Sequence, residues 1–387
     1  DLIEAGVVNN RLKTFHNGTV LAALCIGTRR LYDYIDGNPM FEFHPTDYIS
    51  SPINIAKNCK MVAINTALEV DITGQVCADS IGHHIYSGIG GQIGFIRGAA
   101  MAPDGKSIIA LPSTAKNGTV SRIVAQLSPG AGVVTTRGDV HYIATEYGVA
   151  YLHGKSLRER ALAMIAIAHP KFREQLMAKA KECKYLFEDQ VIPQGAVYPV
   201  DVEHEREFGD LRLFIRPVKP SDERLMQEHL YHLSEHSVYL RFFQKVREFG
   251  HDVTQEMVAV DYYERFGVVA TIGTADAERI VATGHWRLNI DDNMAEVTTS
   301  VADEFQGRGL GQYMSHLLVR LARERGIRGF RASSLVENEA TRRIFEREAR
   351  ESDSTLYTTF DGGFIKMWFR FGEKADESAP SAACDSR

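Results

Sequence analysis

One segment restricts this chain more than any other: Gln306-Gly307-Arg308-Gly309-Leu310-Gly311, set between an apolar strand pattern and an amphipathic helix pattern. Upstream, Met294 to Val301 reads as a strand that carries Glu296. Downstream, Leu310, Met314, Leu317, Leu318 and Leu321 recur at helical spacing, with Arg320, Arg323 and Glu324 facing water. That spacing predicts a helix from about Gly309 to Arg325. Glycines in the intervening turn let backbone amides approach an anion closely, and the helix N-terminus adds about half a positive charge. A pyrophosphate is the natural guest. The hexapeptide is neither a GxxxxGK(S/T) loop nor a GxGxxG fingerprint, so ATP-loop and dinucleotide readings lose their main support. The plain alternative is a glycine turn that only starts a helix.

A chain of 387 residues is too long for one ordinary core, so two domains and a linker are expected. Residues 1–181 mix short β-like runs with glycine turns. Met61-Val62-Ala63-Ile64-Asn65 and Ser107-Ile108-Ile109-Ala110-Leu111 read as buried strands, and Leu157 to Ile167 as a helix. This alternation predicts a layered α/β domain with a largely parallel sheet. Residues 182–210 turn charged, with prolines at Pro193 and Pro199, and read as a linker. A second domain is expected over 211–372, opening on the alternating strand Leu211-Arg212-Leu213-Phe214-Ile215. Strands follow near Val268–Ile272, Ile280–Leu288 and Met294–Val301, and residues 373–387 read as a disordered tail. No apolar run reaches the roughly 18–20 residues needed to span a bilayer, and a net charge of −6 gives no pull toward nucleic acid. Cys25, Cys59, Cys77, Cys183 and Cys384 are scattered without a CxxC pair, which fits reduced thiols in a cytoplasmic protein and no metal site. The start, Asp1-Leu2-Ile3-Glu4, has neither Met nor signal pattern and reads as a cut inside a longer protein.

The glycine segment resembles motif A of the GNAT family of N-acetyltransferases, and Asn338-Glu339-Ala340-Thr341-Arg342-Arg343-Ile344-Phe345 resembles the family's motif B. The stretches Ser237-Val238-Tyr239-Leu240-Arg241-Phe242-Phe243 and Val260-Asp261-Tyr262 look like its bacterial protein-lysine acetyltransferase branch. The resemblance covers about residues 211–372 and implies a GNAT α+β domain with a mixed, curved sheet. It implies that Gln306, Gly307, Arg308, Gly309, Leu310, Gly311 and Asn338 hold acetyl-CoA, and that Glu296 is the base that deprotonates the amine. A carboxylate is a weak base, so burial or a bridging water would have to assist it. The family's tyrosine acid is replaced by Phe345, which leaves thiolate protonation to Tyr357 or to water.

Residues 1–180 resemble the acetyl-CoA hydrolase/transferase family. The match runs through Asp1-Leu2-Ile3-Glu4-Ala5-Gly6-Val7-Val8, Ala63-Ile64-Asn65-Thr66-Ala67-Leu68-Glu69-Val70-Asp71 and Gly88-Ile89-Gly90-Gly91-Gln92. It continues through Ser113-Thr114-Ala115-Lys116, Thr145-Glu146-Tyr147-Gly148 and Gly154-Lys155-Ser156-Leu157-Arg158-Glu159-Arg160. The resemblance implies a partial CoA-transferase-like α/β domain in which Gly91 offers an amide to a thioester oxyanion, and Gly90 and Glu146 lie near CoA. Lys106 and Lys116 are candidates for CoA phosphates, and Ser50 stands where the family has a CoA-binding asparagine. The glutamate nucleophile of the family falls upstream of the segment matching Asp1, and Glu4 and Glu42 are not placed to replace it.

Together these readings imply a bifunctional acyl-CoA enzyme. One half transfers CoA between an acyl-CoA and a short-chain carboxylate, or hydrolyses the acyl-CoA. The other passes acetyl from acetyl-CoA to an amine acceptor, with a protein lysine as the leading candidate. Coenzyme A and acetyl-CoA act as substrates, no metal is called for, and a homodimer is a candidate assembly. Two alternatives stand beside this: a non-catalytic acetyl-CoA sensor that regulates its neighbour, and a small-amine acetyltransferase.

Overall fold

The computed structural model describes residues 1–191, 197–274 and 277–373. It divides into two compact units, Asp1–Glu188 and Asp189–Arg387.

In the first unit, strands β1 (Val62–Asn65), β2 (Lys106–Ala110), β3 (Tyr142–Thr145) and β4 (Gly148–Tyr151) form a sheet in the order β4-β3-β2-β1. β1 and β3 flank β2 in parallel, and β4 returns antiparallel from β3. The register places Ala63, Ser107, Ile109, Ile143 and Ala150 on one buried face. Val62 and Ile64 point the other way and are 48% and 69% exposed, so this strand is buried on one side, not both as its apolar run suggested. Helix α1 (Pro52–Ala56) packs on α2 (Gln92–Met101) at a separation that glycine alone permits. A Cβ on Gly94 would lie 2.1 Å from the Ser50 carbonyl oxygen, and one on Gly98 would lie 2.5 Å from Ile55. Helix α3 (Leu157–Ala166) starts in a reciprocal cap between Ser156 and Glu159, and α4 (Pro170–Glu182) follows with proline in its first turn.

In the second unit, eight strands form one mixed sheet: β5 (His204–Phe208), β6 (Leu211–Pro217), β7 (Arg265–Ile272), β8 (Arg279–Asn289), β9 (Met294–Val301), β10 (Gly329–Leu335), β11 (Tyr357–Asp361) and β12 (Phe364–Arg370). Their order is β5-β6-β7-β8-β9-β10-β12-β11. All neighbours are antiparallel except β9 and β10. Helices α5 (Glu223–Tyr231), α6 (Glu235–Phe242) and α7 (His251–Val258) come between β6 and β7; α8 (Leu310–Glu324) and α9 (Glu339–Glu351) flank β10 in sequence. One core joins Leu310, Met314, Leu317, Leu318 and Leu321 of α8 to Ala295, Val297 and Phe330 of the sheet. A second gathers Leu225, Met226 and Leu230 of α5 with Val258 and Val269. Inside the fold, Arg216 pairs bidentately with Asp222 at 2.6 and 3.0 Å. The stretch read as linker over 182–210 is partly structured: residues 204–208 are the edge strand β5, paired with β6. Its alternating charges carry no apolar period because an edge strand is wetted. The tail over 373–387 lies, beyond residue 373, outside the described residues. Among the described residues, no helix is long and apolar enough to cross a membrane.

Candidate functional site

β9 and β10 are hydrogen-bonded only over Met294–Glu296 against Gly329–Arg331. Beyond Glu296 the two strands share no register, so the sheet opens at that residue. Glu296 is exposed, while its neighbours Ala295 and Val297 are buried in the α8-side core. Alternation puts Thr298 and Ser300 on the Glu296 side. There Arg241, from α6, donates through Nη2 to Thr298 Oγ1 at 3.1 Å. His229 Nε2 lies 2.8 Å from Ser300 Oγ, which lies 3.0 Å from Thr283 Oγ1. A cavity of about 270 Å³ is lined by Glu296, Thr298, Arg241, His285, Trp286 and Met257, among others. Arg241 Nε and His285 Nε2 are buried there without a hydrogen-bond partner among the described residues. Burial pulls Arg241 down to about 10 against the opposing charge of Glu296, and burial pulls His285 down to about 3, so the imidazole is neutral.

At the far end of β9 the chain enters the glycine loop. Gly307 and Gly309 have φ of 74° and 81°, the left-handed region that glycine enters without strain. A Cβ at either would meet nothing within 4 Å among the described residues, so the loop presents open backbone. Among the described residues no side chain caps the α8 that starts at Leu310, and its first amides are available to an anion. The loop is fixed from behind. Asp303 accepts from Ser234 N and Oγ at 2.8 and 2.7 Å and from Ser237 Oγ at 2.8 Å. Burial works against its charge, yet these bonds hold the carboxyl below the usual range. Gln306 Nε2 donates to Val301 O at 3.0 Å and to Ser237 Oγ at 3.3 Å, so its side chain braces the loop. Arg308 pairs with Asp210 at 2.8 Å on the surface. A Cβ on Gly311 would lie 3.5 Å from Val301 and 3.6 Å from Ile344, an ordinary packing distance. Asn338 caps α9, its Oδ1 accepting from Thr341 N at 3.2 Å. Phe345 is buried in the core edge-on to Phe369, and Tyr357 stacks on Trp368 on the edge strand β11.

In the first unit, Gly90 (φ 60°) and Gly91 lead into α2, Gly91 as its uncapped N-cap. Ser50 Oγ lies 2.7 Å from where a Gly91 Cβ would stand, so residue 50 borders this loop. Glu146 places one oxygen 2.8 Å from Ser113 N and the other 2.5 Å from Ser113 Oγ. Burial raises its pKa and the Ser113 bonds outweigh that, leaving it below the usual range. Both oxygens are thereby engaged within the fold. Lys106 and Lys116 are exposed.

Residues 27–180 match the family described as acetyl-CoA hydrolase/transferase C-terminal domain, and residues 212–348 match the acetyltransferase (GNAT) domain. The chain joins a hydrolase/transferase domain to a GNAT domain. Over 182 residues it is 53% identical to 4-hydroxybutyrate coenzyme A transferase of Clostridium kluyveri, covering 47% of this chain and 42% of that protein. Over 139 residues it is 34% identical to Acetyltransferase Pat of Mycolicibacterium smegmatis, covering 35% and 40%. The crystal structure of RipA from Yersinia pestis is 42% identical, covers 48% of this chain and 42% of that one, and has a TM-score of 0.46. The chain thus spans 42% of the length of the 4-hydroxybutyrate transferase that it matches.

Within the GNAT domain the fold brings Glu296 to the strand opening and the glycine loop to the end of the same strand. Sequence spacing did not find Arg241 or His285 as parts of this region, whereas Asp303-Glu304-Phe305 precedes the loop much as in GNAT family members. Arg241 and Ser237 lie in a stretch whose pattern resembled the lysine acetyltransferases, which is the signal that could have raised them; His285 sits in an ordinary strand and carries none.

Proposed function

We propose that this chain acts on acyl-CoA in both domains, and that the GNAT domain transfers acetyl from acetyl-CoA to a primary amine. The observation that carries the reading is the sheet opening at Glu296, on the strand that ends in an uncapped, glycine-lined helix N-terminus. In this reading the amides of Gly309, Leu310 and Gly311 hold the pyrophosphate, and the acetyl thioester runs into the gap between β9 and β10. The amine approaches on the Glu296 side. Glu296 takes its proton, directly or through a water, as the nitrogen attacks the thioester carbon and the thiolate leaves. Arg241 lies on the same side of β9, its guanidinium bonded to Thr298 two residues along from Glu296. Phe345 offers no proton from its core position, so thiolate protonation falls to water. Asn338 contributes by fixing the start of α9.

For the hydrolase/transferase domain we propose the oxyanion-holding part of CoA transfer to a short carboxylate, or of acyl-CoA hydrolysis. The amide at Gly91 is the donor, with Ser50 beside it. A donor of this kind stabilises acyl-transfer transition states by about 3–4 kcal/mol. A protein lysine is our leading amine acceptor, and the free Cys25, Cys59, Cys77 and Cys183 suit a reducing cytoplasm.

The test is to incubate the full chain with isotope-labelled acetyl-CoA and a panel of amines, lysine peptides and spermidine among them, and to identify products by mass spectrometry. N-acetylated lysine peptide is expected. Tight acetyl-CoA binding with no product on any amine would replace this reading with that of a sensor.

A further inference from the structure

Away from the strand opening, α8 and α9 bring three ligand-type side chains to one point. His316 lies on α8 one turn beyond Gln312; Glu348 and Glu351 lie one turn apart on α9. Glu348 is 2% exposed, an unusual place for a carboxylate. Gln312 Nε2 donates to its Oε1. Its Oε2 is buried with no hydrogen-bond partner among the described residues and faces His316 Nδ1 at 3.4 Å. Glu351 is arranged alike: Arg347 Nε donates to its Oε1 at 2.8 Å, and its Oε2 lies 3.4 Å from the same His316 Nδ1. All three atoms lie within 4.8 Å of one another.

Each carboxylate therefore has one oxygen held by a neighbour and the other aimed at a shared centre. That is the arrangement by which outer groups orient metal ligands. Spacing gives a second argument. Zinc bonds to imidazole nitrogen and carboxylate oxygen are about 2.0–2.1 Å, so the edges of a tetrahedral site are about 3.3–3.4 Å. Both His316–carboxylate distances, 3.4 Å, fall on that edge. We propose that His316, Glu348 and Glu351 form a binding site for a zinc-class divalent cation, with a fourth position open to solvent beside the half-exposed imidazole.

The nitrogen ligand and the small site favour zinc-class ions over magnesium or calcium, which take all-oxygen shells. The ion resolves the buried orphan oxygen of Glu348, and it ties α8 to α9, the two helices whose N-termini carry the glycine loop and Asn338. The cluster of His16, Glu42 and His44 in the first unit differs. There both imidazoles meet the same Glu42 oxygen, at 2.8 and 3.1 Å, and His16 Nε2 lies 2.7 Å from Tyr48 Oη, so the hydrogen bonds close without an ion.

The experiment titrates Co²⁺, then competing Zn²⁺, into the chelator-treated full chain, reading visible absorption and thermal unfolding. One tetrahedral Co²⁺ site displaced by Zn²⁺ is expected, with a raised Tm. Loss of outer-shell partners costs metal affinity about 10–100-fold, so His316→Ala and Glu348→Gln, which remove ligands, should each weaken binding by at least about 100-fold. His316 is exposed, and glutamine can keep the Gln312 bond, so both variants should fold; their thermal unfolding without metal checks this. His44→Ala should bind like the parent. Unchanged affinity in His316→Ala, binding lost only in His44→Ala, or no binding below millimolar Zn²⁺ would each overturn the proposal and leave His316 as an ion-paired imidazolium.

Discussion

Replacing Gly309 separates two things that the loop does. Its φ of 81° costs an L-residue about 1–2 kcal/mol, less for asparagine, whose side chain tolerates the left-handed region. No atom of the described residues lies within 4 Å of a Cβ built there, so the fold itself adds no clash. Gly309→Ala should therefore lose about 1–2 kcal/mol of stability in urea unfolding, and Gly309→Asn less. Coenzyme binding should follow the opposite order. In the proposed function the space beside residue 309 is where the pyrophosphate meets the α8 amides, so the larger asparagine would obstruct it more than alanine does. We expect calorimetric titration of CoA into the full chain to show at least about a tenfold loss, about 1.4 kcal/mol, for alanine. The loss for asparagine should be larger, and Gly309→Glu, which sets a carboxylate against the phosphates, should abolish the event. Affinity that tracks stability, with alanine worse than asparagine, would show the loop to be structural only. Equal affinity in all three variants would refute the loop assignment outright.

Three further outcomes follow from the packing. His229 and His285 are held neutral by burial, down to about 4 and about 3 from the usual 6.5. The unfolded chain therefore takes up protons first as pH falls, so stability is full above about pH 6.5 and is lost toward pH 4, by about 3 kcal/mol for His229 alone. A urea series that shows His229→Gln with the same pH slope as the parent would contradict this. Asp222→Ala should cost about 3–5 kcal/mol, because it leaves the buried Arg216 with Glu278 as its one remaining carboxylate partner among the described residues; a loss under 1 kcal/mol in the same assay would sink the point. Gly94→Ala should destabilise the hydrolase/transferase domain by about 1–3 kcal/mol or more, since its Cβ would lie 2.1 Å from the Ser50 carbonyl; unaltered unfolding would show that α1 and α2 can part freely.

The sequence was most readable where one face of an element is buried and the other wet. The stripe of Leu310, Met314, Leu317, Leu318 and Leu321 predicts a helix over 309–325, and the helix spans Leu310–Glu324. It was least readable where that contrast fails. Residues His204–Glu207 are all polar or charged, as a wetted sheet edge allows, and so the stretch reads as linker up to Phe208. Val62 and Ile64 read as buried because apolar character alone does not say whether a second layer covers a strand. Pairings across long separations were also hidden. Arg241 and Thr298 are 57 residues apart, and the sheet, not any spacing, brings them together. Glu348 sits amid the arginines and glutamates of an amphipathic helix, where its 2% exposure leaves no mark in the sequence.

Acetyl transfer assisted by Glu296 is tested most directly by Glu296→Gln. The substitution keeps size and strand pairing but removes the proposed base. Turnover of acetyl-CoA with a lysine peptide should be measured across pH for both proteins, beside acetyl-CoA affinity. General-base assistance contributes about 10²–10⁴-fold, so turnover should fall by at least about 100-fold while affinity stays within about twofold. The acidic limb of the pH–rate profile should vanish with it. Equal turnover and an unchanged profile in Glu296→Gln would contradict the account and move the proton to another group or to bulk water.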